Sequence, residues 1–525
     1  MPGPSLTSLQ NPSSSPMPET AVAVIGAGPA GLVAARWLLQ RGFEPVVFEA
    51  ADRLGGQWNP ASSMSGTWSG MRTNTSRIMT AFSDLDHAEE TAVYPRQDEM
   101  LAYLDRYAAR FDLLRRIRLS TRVELLDRAP DGGWRVQSIC AGRSASEVFT
   151  KVVVASGRYV APEVPDIAGV ETFTGILGVG HTRQYDGAER YRGKNVVVAG
   201  CSISALEIAS DIALAGGRVT ASYRRQRYIV PKLLSGVPTE HVIFTRAAAL
   251  AGEVLPPGAV ADGLKATVLR AAGSPAQYGA REPDPSIFAA GIAQSQHFLA
   301  AVAEGRIATR PWIESIDGRC VRFVDGSTVE ADAILFGTGY RLSLPWLAPS
   351  LAGMLGLDGV HIDLHDHTFH PDLQGIAFAG LYDQVGPLLP VLELQARWIA
   401  QAFAGRCPGL TASAMAEGLA RCRANRDGPQ SVPMQVMALL FARHAGVEPD
   451  LARWKGLERA LLFGPLSPIS FRLQGPDSLE DAPVRTRAAA AAFGAIDSPE
   501  FTAEELGLRE AIQPGLREAA PRQAA

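Results

Sequence analysis

The sequence predicts an α/β protein with two dinucleotide-binding, Rossmann-like domains, the second inserted into the first. A β-branched strand at 21–25 runs into a glycine turn and a helix, and the same pattern begins again with a strand at 195–199. Two further apolar runs, 152–154 and 334–336, each stop at a glycine. Such paired strand ends indicate where the chain crosses between an outer domain and an inserted one.

The composition is that of a globular protein with several domains. The chain has 525 residues, and roughly 100–200 residues form one domain. Fifty basic and 54 acidic residues give a net charge of −4, without the positive excess that a nucleic-acid partner requires. No pair among the five cysteines has a C-x-x-C spacing, so neither a redox-active pair nor a zinc knuckle is expected.

Both ends of the chain are expected to lie outside the domains. Residues 1–19 contain five Pro and five Ser, which predicts a disordered tail, and they lack the charged start and apolar core of a signal peptide. Residues 486–525 are Ala-rich, which predicts a helical tail without an apolar run of membrane-spanning length. We therefore expect a cytoplasmic protein with no membrane partner.

The first glycine turn has the features of a dinucleotide-binding fingerprint. Gly26, Gly28 and Gly31 form a complete G-x-G-x-x-G between a strand and a helix, and Glu49 follows about 20 residues later. The glycines permit the tight turn, the approach of a pyrophosphate and the packing of helix on strand. The acidic Glu49 would bind ribose hydroxyl groups and repel a 2′-phosphate, which favours FAD or NAD over NADP at this site.

The second glycine turn is less regular and indicates a different nucleotide. Gly200 keeps the first glycine position, but Ser202 and an alanine replace the other two. Ser202 or Ser204 could donate a hydroxyl group to a phosphate. The second strand of this unit ends at Arg224 and Arg225, whose guanidinium groups favour NADPH. An ordinary strand–helix turn and a solvated basic edge are the alternatives.

Further motifs along the chain carry a family resemblance. They are Gly55-Gly56-Gln57-Trp58, Arg72-Thr73-Asn74-Thr75-Ser76-Arg77, Phe82-Ser83-Asp84, Phe173-Thr174-Gly175 with His181-Thr182-Arg183-Gln184-Tyr185, Glu393-Leu394-Gln395-Ala396-Arg397-Trp398, and Phe463-Gly464-Pro465 with Phe471-Arg472-Leu473. Together they resemble the flavin-containing monooxygenase family over about residues 20–480. The chain departs from the family pattern between Gly175 and His181, where five residues stand in place of three.

The resemblance implies a domain organisation and a reaction. An FAD domain would comprise residues 20–170 and 326–485, with an inserted NADPH domain at 171–325 and the helical tail at 486–525. NADPH would pass a hydride to the flavin, and O₂ would add to form a flavin C4a-hydroperoxide. A nitrogen or sulfur lone pair of a small substrate would then attack the distal oxygen. A homodimer is left open.

The resemblance also assigns roles to residues that match the family motifs. Asn74 would hydrogen-bond the oxygenated flavin and the nicotinamide, and Ser204 and Arg224 would hold NADP. On residue type alone, a turn or cap asparagine is the alternative for Asn74. The remaining predicted cofactor-binding residues are Gly26, Gly28, Gly31, Glu49, Gln57, Trp58, Thr73, Gly200, Ser202, Arg225 and Gln395.

Three other functions are kept as alternatives. The first is a Baeyer–Villiger monooxygenase acting on a ketone, although such relatives carry Trp where this chain has Tyr185. The second is a non-oxygenating NADPH–flavin reductase, which the lack of a cysteine pair disfavours. The third is a nucleotide-binding protein without catalytic activity.

A histidine cluster is the one pattern that argues for other chemistry. His361, His365, His367 and His370 are the densest group of histidines in the chain and could be imagined as a metal site. No second shell for such a site can be identified from the sequence. We therefore predict no metal.

Overall fold

Two five-stranded parallel sheets organise the chain in the computed structural model, which describes residues 15–514 and 516. In the first sheet the strand order is Ile376–Phe378, Lys151–Val154, Ala21–Ile25, Glu44–Phe48 and Ile117–Arg118. In the second sheet it is Gly178–His181, Ala333–Phe336, Asn195–Ala199, Arg218–Ser222 and Ile307–Arg310. Each glycine unit supplies the central strand of one sheet. The predicted α/β class with two Rossmann-like domains is confirmed.

The second sheet is formed entirely by chain that lies between two neighbouring strands of the first. Lys151–Val154 and Ile376–Phe378 pair in parallel, and every strand of the second sheet falls between them in sequence. The chain returns from the inserted domain to the outer domain later than the predicted boundary at 325/326, and we call this return the second crossing. Ala333–Phe336 still belongs to the inserted domain, because it pairs with Asn195–Ala199. An apolar run predicts a buried strand, but it does not identify the sheet that the strand joins.

A third sheet flanks the first and includes the beginning of the described chain. Thr121–Arg128, Trp134–Cys140 and Arg143–Phe149 pair antiparallel, and Ser15–Pro16 pairs in parallel with the last of them. The paired segment Ser15–Pro16 lies within the tail predicted for 1–19, so ordered chain begins before residue 20. Residues 1–14 of that tail lie outside the described residues. The shorter strands are Ala161–Pro162, Tyr228–Val230, Leu233–Leu234, Val237–Pro238, Ile292–Gln294, Ile313–Asp317, Cys320–Phe323, Thr328–Glu330, Tyr340–Arg341, Asp383–Val385 and Ser431–Pro433.

Helices cover the sheets and form most of the C-terminal part. Within the described residues the α-helices are Pro29–Gln40, Gln97–Arg110, Ile203–Leu214, Thr239–Ile243, Arg246–Val254, Pro257–Ala272, Ile287–Ala290, Phe298–Ala303, Pro349–Met354, Leu389–Phe403, Ala412–Ala424, Met434–His444, Glu458–Phe463, Ala482–Ala491 and Ala503–Ala511. Of the predicted helical tail, residues 515 and 517–525 lie outside the described residues. None of the described helices has both the length and the apolar character needed to cross a bilayer.

Three motifs that are far apart in sequence meet in one buried polar cluster. The Ser83 backbone N–H donates to Glu393 Oε2 at 2.7 Å, and Arg472 Nη1 donates to Ser83 Oγ at 2.7 Å. Arg472 also lies 3.8 Å from the Glu393 carboxylate, and burial raises the pKa of Glu393. The Arg397 guanidinium lies 5.0 Å from the ring centroid of Trp37. The cluster therefore joins helix Leu389–Phe403 to the helix that follows the first glycine turn.

Candidate active site

A large cavity of about 2310 Å³ extends from the first glycine turn to the second. Gly26, Gly28 and Glu49 line it from the first unit, and Ser202 and Ser204 line it from the second. Pockets that hold one drug-sized ligand reach ~1,000 Å³, so this cavity has room for more than one ligand. Its position at the carboxyl ends of two parallel sheets is the usual place for ligands in such folds.

The first glycine turn is built around a close approach between two strands. Gly26 has φ +108°, and a Cβ at this position would lie 2.5 Å from the carbonyl oxygen of Ala155. Glu49 Oε2 accepts a hydrogen bond of 2.7 Å from the backbone N–H of Ala27, and Oε1 accepts one of 2.8 Å from Ala51. Burial raises the pKa of Glu49, and these backbone hydrogen bonds oppose that shift. The Glu49 carboxylate therefore fixes the turn, and its contact with a ribose stays a prediction.

The second glycine turn repeats this construction in the other sheet. Gly200 has φ +131°, and a Cβ there would lie 2.4 Å from the carbonyl oxygen of Gly337. Ser202 caps the following helix, because its Oγ accepts from the backbone N–H of Ala205 at 3.3 Å and donates to Gly337 at 3.1 Å. The Ser202 hydroxyl hydrogen is thus already used. Ser204 is exposed and lines the cavity, which makes it the more available of the two predicted hydroxyl donors.

The predicted phosphate-binding arginines lie at the edge of this site. Arg224 is exposed and stacks on Trp312, with its guanidinium carbon 4.7 Å from the ring centroid. Arg225 donates to the carbonyl oxygen of Ala289 at 3.0 Å. Neither arginine lines the cavity, whereas Arg227 does. Arg227 is not one of the residues that the sequence predicts for this site, because it lies two residues beyond Arg225, past the end of the strand.

Asn74 lies on the cavity wall with its side-chain amide free. It is half-buried, and no hydrogen bond joins its amide to any residue that the structure describes. Its neighbours are fixed: the Thr73 hydroxyl donates to the carbonyl oxygen of Thr75 at 2.8 Å, and Thr75 Oγ1 lies 2.7 Å from Thr80 Oγ1. A turn or cap asparagine would bond the backbone nearby. The geometry therefore favours an amide that faces a ligand.

Two buried residues of the inserted domain hold the Asn74 loop. Glu240 Oε1 accepts from the backbone N–H of Ser76 at 2.5 Å, and His241 Nε2 lies 2.9 Å from Ser76 Oγ. Glu240 is 1% exposed and His241 2%. Burial raises the pKa of Glu240 and lowers that of His241 to about 4. Sequence reasoning missed both, because they stand 164 and 165 residues from Ser76 and belong to no recognisable motif.

The buried imidazole of His241 predicts a specific loss of stability in acid. Its pKa is about 4 in the folded chain and about 6.5 when unfolded, so the unfolded state binds more protons between these values. The free energy of unfolding should therefore be highest above pH 6.5 and fall by up to about 3 kcal/mol through this group as the pH approaches 4. His241→Gln, which keeps a polar contact with Ser76, should reduce that dependence in urea unfolding at pH 7 and pH 5. Equal acid loss in the variant and the wild type would contradict this assignment.

Gln395 lies behind the wall of the cavity and not among its lining residues, and its contact with a cofactor stays a prediction. Its Oε1 accepts from the backbone N–H of Gly380 at 2.9 Å. Its Nε2 donates to Thr368 Oγ1 at 2.8 Å and to the carbonyl oxygen of Phe378 at 3.0 Å. Since Gly380 lines the cavity, Gln395 shapes the wall through the backbone.

The structure brings most of the predicted site residues together. Those that line the cavity are Gly26, Gly28, Glu49, Gln57, Trp58, Thr73, Asn74, Ser202 and Ser204. Gly31, within helix Pro29–Gln40, and Gly200, at the start of the second turn, instead allow close contacts with the backbone of Gly26 and Gly337. The family signature around His181 lies beside the second crossing, where His181 Nε2 is 3.0 Å from the carbonyl oxygen of Gly339. Tyr185 is buried and donates to Asp211 at 2.6 Å.

Of the four clustered histidines, His361, His367 and His370 do not join His365 in a group of potential metal ligands within the described residues. His361 pairs with Asp358, since its Nδ1 lies 2.8 Å from a carboxylate oxygen of that residue. His365 instead lies near Asp366 and His444, and the potential ligand atoms of these three are within 4.8 Å of one another. His444 Nε2 is 2.7 Å from Asp366, so their contact is a direct hydrogen bond. The absence of a metal stays a prediction.

Comparisons with known proteins give consistent matches along most of the chain. The model of the flavin-binding monooxygenase-like family matches residues 19–488. Dimethylaniline monooxygenase 2 (N-oxide-forming) of Cavia porcellus is 29% identical over 487 residues, covering 88% of this chain and 90% of that protein.

Two solved structures are similar in fold. S-allyl-L-cysteine S-oxygenase from Allium sativum has a TM-score of 0.60 and 21% identity, covering 95% of this chain and 98% of that one. Cyclohexanone monooxygenase from Rhodococcus sp. Phi1 bound to NADP⁺ has a TM-score of 0.60 and 18% identity, covering 83% and 98%.

Proposed function

The chain belongs to the flavin-binding monooxygenase-like family, and on this basis we propose that it uses NADPH and O₂ to oxygenate a soft nitrogen or sulfur nucleophile. The family uses FAD and NADPH. The observation that carries the proposal is the free amide of Asn74, which faces a cavity lined by two dinucleotide-type turns. The small-molecule substrate would reach the same cavity.

The two turns fit two dinucleotides. At the first turn a Cβ on Gly28 would meet only Gly56, at 3.5 Å from its Cα and 3.9 Å from its N, so the glycine leaves a surface open above the N-terminus of helix Pro29–Gln40. Backbone N–H groups and the helix dipole favour a pyrophosphate there. The helix that starts at Ile203 offers the same arrangement at the second turn. We therefore place FAD at the first turn and NADPH at the second.

The chain's own residues position the reactants and exclude water. When bound, the reduced flavin supplies the electrons that activate O₂. The Asn74 amide can donate one hydrogen bond and accept another without supplying a proton. A nitrogen or sulfur lone pair needs no general base to attack oxygen, and the titratable Glu240 and His241 of the cavity wall bond Ser76. With coenzymes and substrate bound, the walls of the cavity would limit the access of water.

The kind of oxygenation is proposed from the relatives and from one position. The Cavia porcellus relative is named for N-oxide formation, and the Allium sativum structure is that of an S-oxygenase. Tyr185 occupies the position where Baeyer–Villiger relatives carry Trp, and its hydroxyl group donates a hydrogen bond to Asp211. Because a cyclohexanone monooxygenase has a similar fold, oxygenation of a ketone is the competing alternative.

A substrate panel tests this proposal. We expect the FAD-loaded enzyme to convert a tertiary amine and a thioether with NADPH, and to form little lactone from a cyclic ketone. Amine oxidation should fall at low pH because an ammonium has no lone pair, whereas thioether oxidation should change far less. Product and hydrogen peroxide are measured per NADPH consumed. Faster lactone formation would favour the Baeyer–Villiger alternative, and peroxide equal to NADPH with every substrate would favour a reductase.

A further inference from the structure

Arg227 places an unpaired positive charge in the wall of the cavity. It is half-buried, and its guanidinium has neither a hydrogen-bond nor an ion-pair partner within the described part of the chain. Two other arginines that line the cavity are satisfied. Arg122 pairs with Glu124 at 2.8 Å, and Arg158 donates to backbone carbonyl groups at 2.9 and 3.2 Å. Arg227 is therefore the one among these three whose donors are available to a ligand.

The backbone around Arg227 places it beside the second glycine turn. Its backbone N–H and its charge both act on Cys201, the residue that follows Gly200, and partly offset the rise that burial causes in the pKa of the Cys201 thiol. Its side chain runs along Gly291, where a Cβ would lie 3.8 Å from Arg227 Nε. The side chain thus lies where the paired strands Tyr228–Val230 and Ile292–Gln294 begin, and it lines the same cavity as Ser202 and Ser204 of the second turn. The N-terminus of helix Ile203–Leu214 begins at the same turn.

The chemistry of this arrangement selects an anionic oxygen ligand. A partly buried guanidinium without an acid partner is costly unless a ligand supplies the acceptor. Its forked donors match two phosphate oxygens, and a helix N-terminus adds N–H groups and positive dipole to the same ligand. Arg224, by contrast, is exposed on Trp312 at the end of its strand, where a 2′-phosphate is read in folds of this kind.

We propose that Arg227 binds the pyrophosphate of the nicotinamide coenzyme, while selection of the 2′-phosphate depends on Arg224. This assignment of separate roles to the two arginines rests on the coenzyme site of the proposed function. It makes Arg227 an affinity residue for every nicotinamide dinucleotide and Arg224 a residue for NADPH alone.

Equilibrium binding of nucleotides to the FAD-loaded, oxidised protein tests these separate roles of Arg227 and Arg224. Dissociation constants for NADP⁺, NAD⁺ and ADP-ribose are measured by titration calorimetry. Arg227→Ala should weaken all three by a similar factor of about ten or more, because each carries the pyrophosphate. Arg224→Ala should weaken NADP⁺ by about tenfold or more and leave NAD⁺ and ADP-ribose nearly unchanged. Arg227→Lys should recover part of the loss, since it restores the charge without the fork.

Arg218→Ala is the matched control for the loss of one positive charge. Arg218 starts the strand that ends near Arg224, and it bonds Asn195 on the far side of the sheet, so binding of all three probes should stay at the wild-type level. Wild-type affinities in Arg227→Ala, or a loss confined to NADP⁺, would overturn the inference while leaving the coenzyme site in place. Wild-type protein that binds none of the probes would overturn the coenzyme site itself and this inference with it.

Discussion

Gly31→Ala is expected to leave little folded, FAD-loaded protein. A Cβ at this position would lie 1.8 Å from the carbonyl oxygen of Gly26 and 2.9 Å from its carbonyl carbon. Both are backbone atoms, so the helix must move away from the strand that it packs against. Overpacking costs about 1–3 kcal/mol or more, a large share of a typical stability of about 5–15 kcal/mol. Soluble yield, flavin absorbance per chain and melting temperature measure the effect.

Gly28→Ala is the matched comparison for this variant. Its Cβ would make only an ordinary 3.5 Å contact with Gly56, and Gly28 has an unstrained φ of −76°. The protein should fold, but the new methyl group would stand where the pyrophosphate approaches, so FAD should be lost from a folded chain. The interpretation is wrong if Gly31→Ala purifies with one FAD per chain and a wild-type melting temperature.

Substitution of Asn74 is expected to separate NADPH oxidation from oxygenation. Asn74→Ala removes a hydrogen bond of about 0.5–1.5 kcal/mol, which corresponds to a several-fold loss of oxygenated product per NADPH. Asn74→Asp should lower the product yield further, because a carboxylate repels the electron-rich reduced flavin. Hydrogen peroxide should rise as product falls. FAD binding should survive in both variants, since the loop is fixed by Ser76 and the flavin pyrophosphate is bound at the first turn.

Asn425→Asp provides the same chemical change outside the cavity. Asn425 is exposed at the C-terminal end of helix Ala412–Ala424, and product per NADPH should match the wild type. Should Asn74→Ala also keep the wild-type product and peroxide yields, Asn74 is a turn residue and its assignment to the active site fails.

Local patterns predicted the elements that carry the cofactor turns. The strands Ala21–Ile25 and Asn195–Ala199 have the predicted bounds, because β-branched runs before a glycine are a short-range signal. The sheet that Ala333–Phe336 joins could not be predicted in this way, because its pairing with Asn195–Ala199 is long-range.

Site residues could be predicted from the sequence only where they belong to a recognisable motif. Asn74 follows from the family resemblance, and the fold places it on the cavity wall. Glu240 and His241 could not be found, since their only signal is a contact with distant Ser76. Gln395 shows the opposite case: it belongs to a motif, but its amide bonds the backbone of Gly380, so a motif alone does not tell whether a residue lines the cavity.

The division of the first sheet between distant segments has a consequence for synthesis of the chain on the ribosome. All five strands of the second sheet exist once residue 336 has been made, but the first sheet still lacks Ile376–Phe378. Until about 40 further residues are added, one side of Lys151–Val154 has no partner. The inserted domain can therefore complete its sheet first, while the surrounding domain presents an open edge. Such an edge is prone to pairing with other chains, so this interval is when the nascent protein is most vulnerable to aggregation.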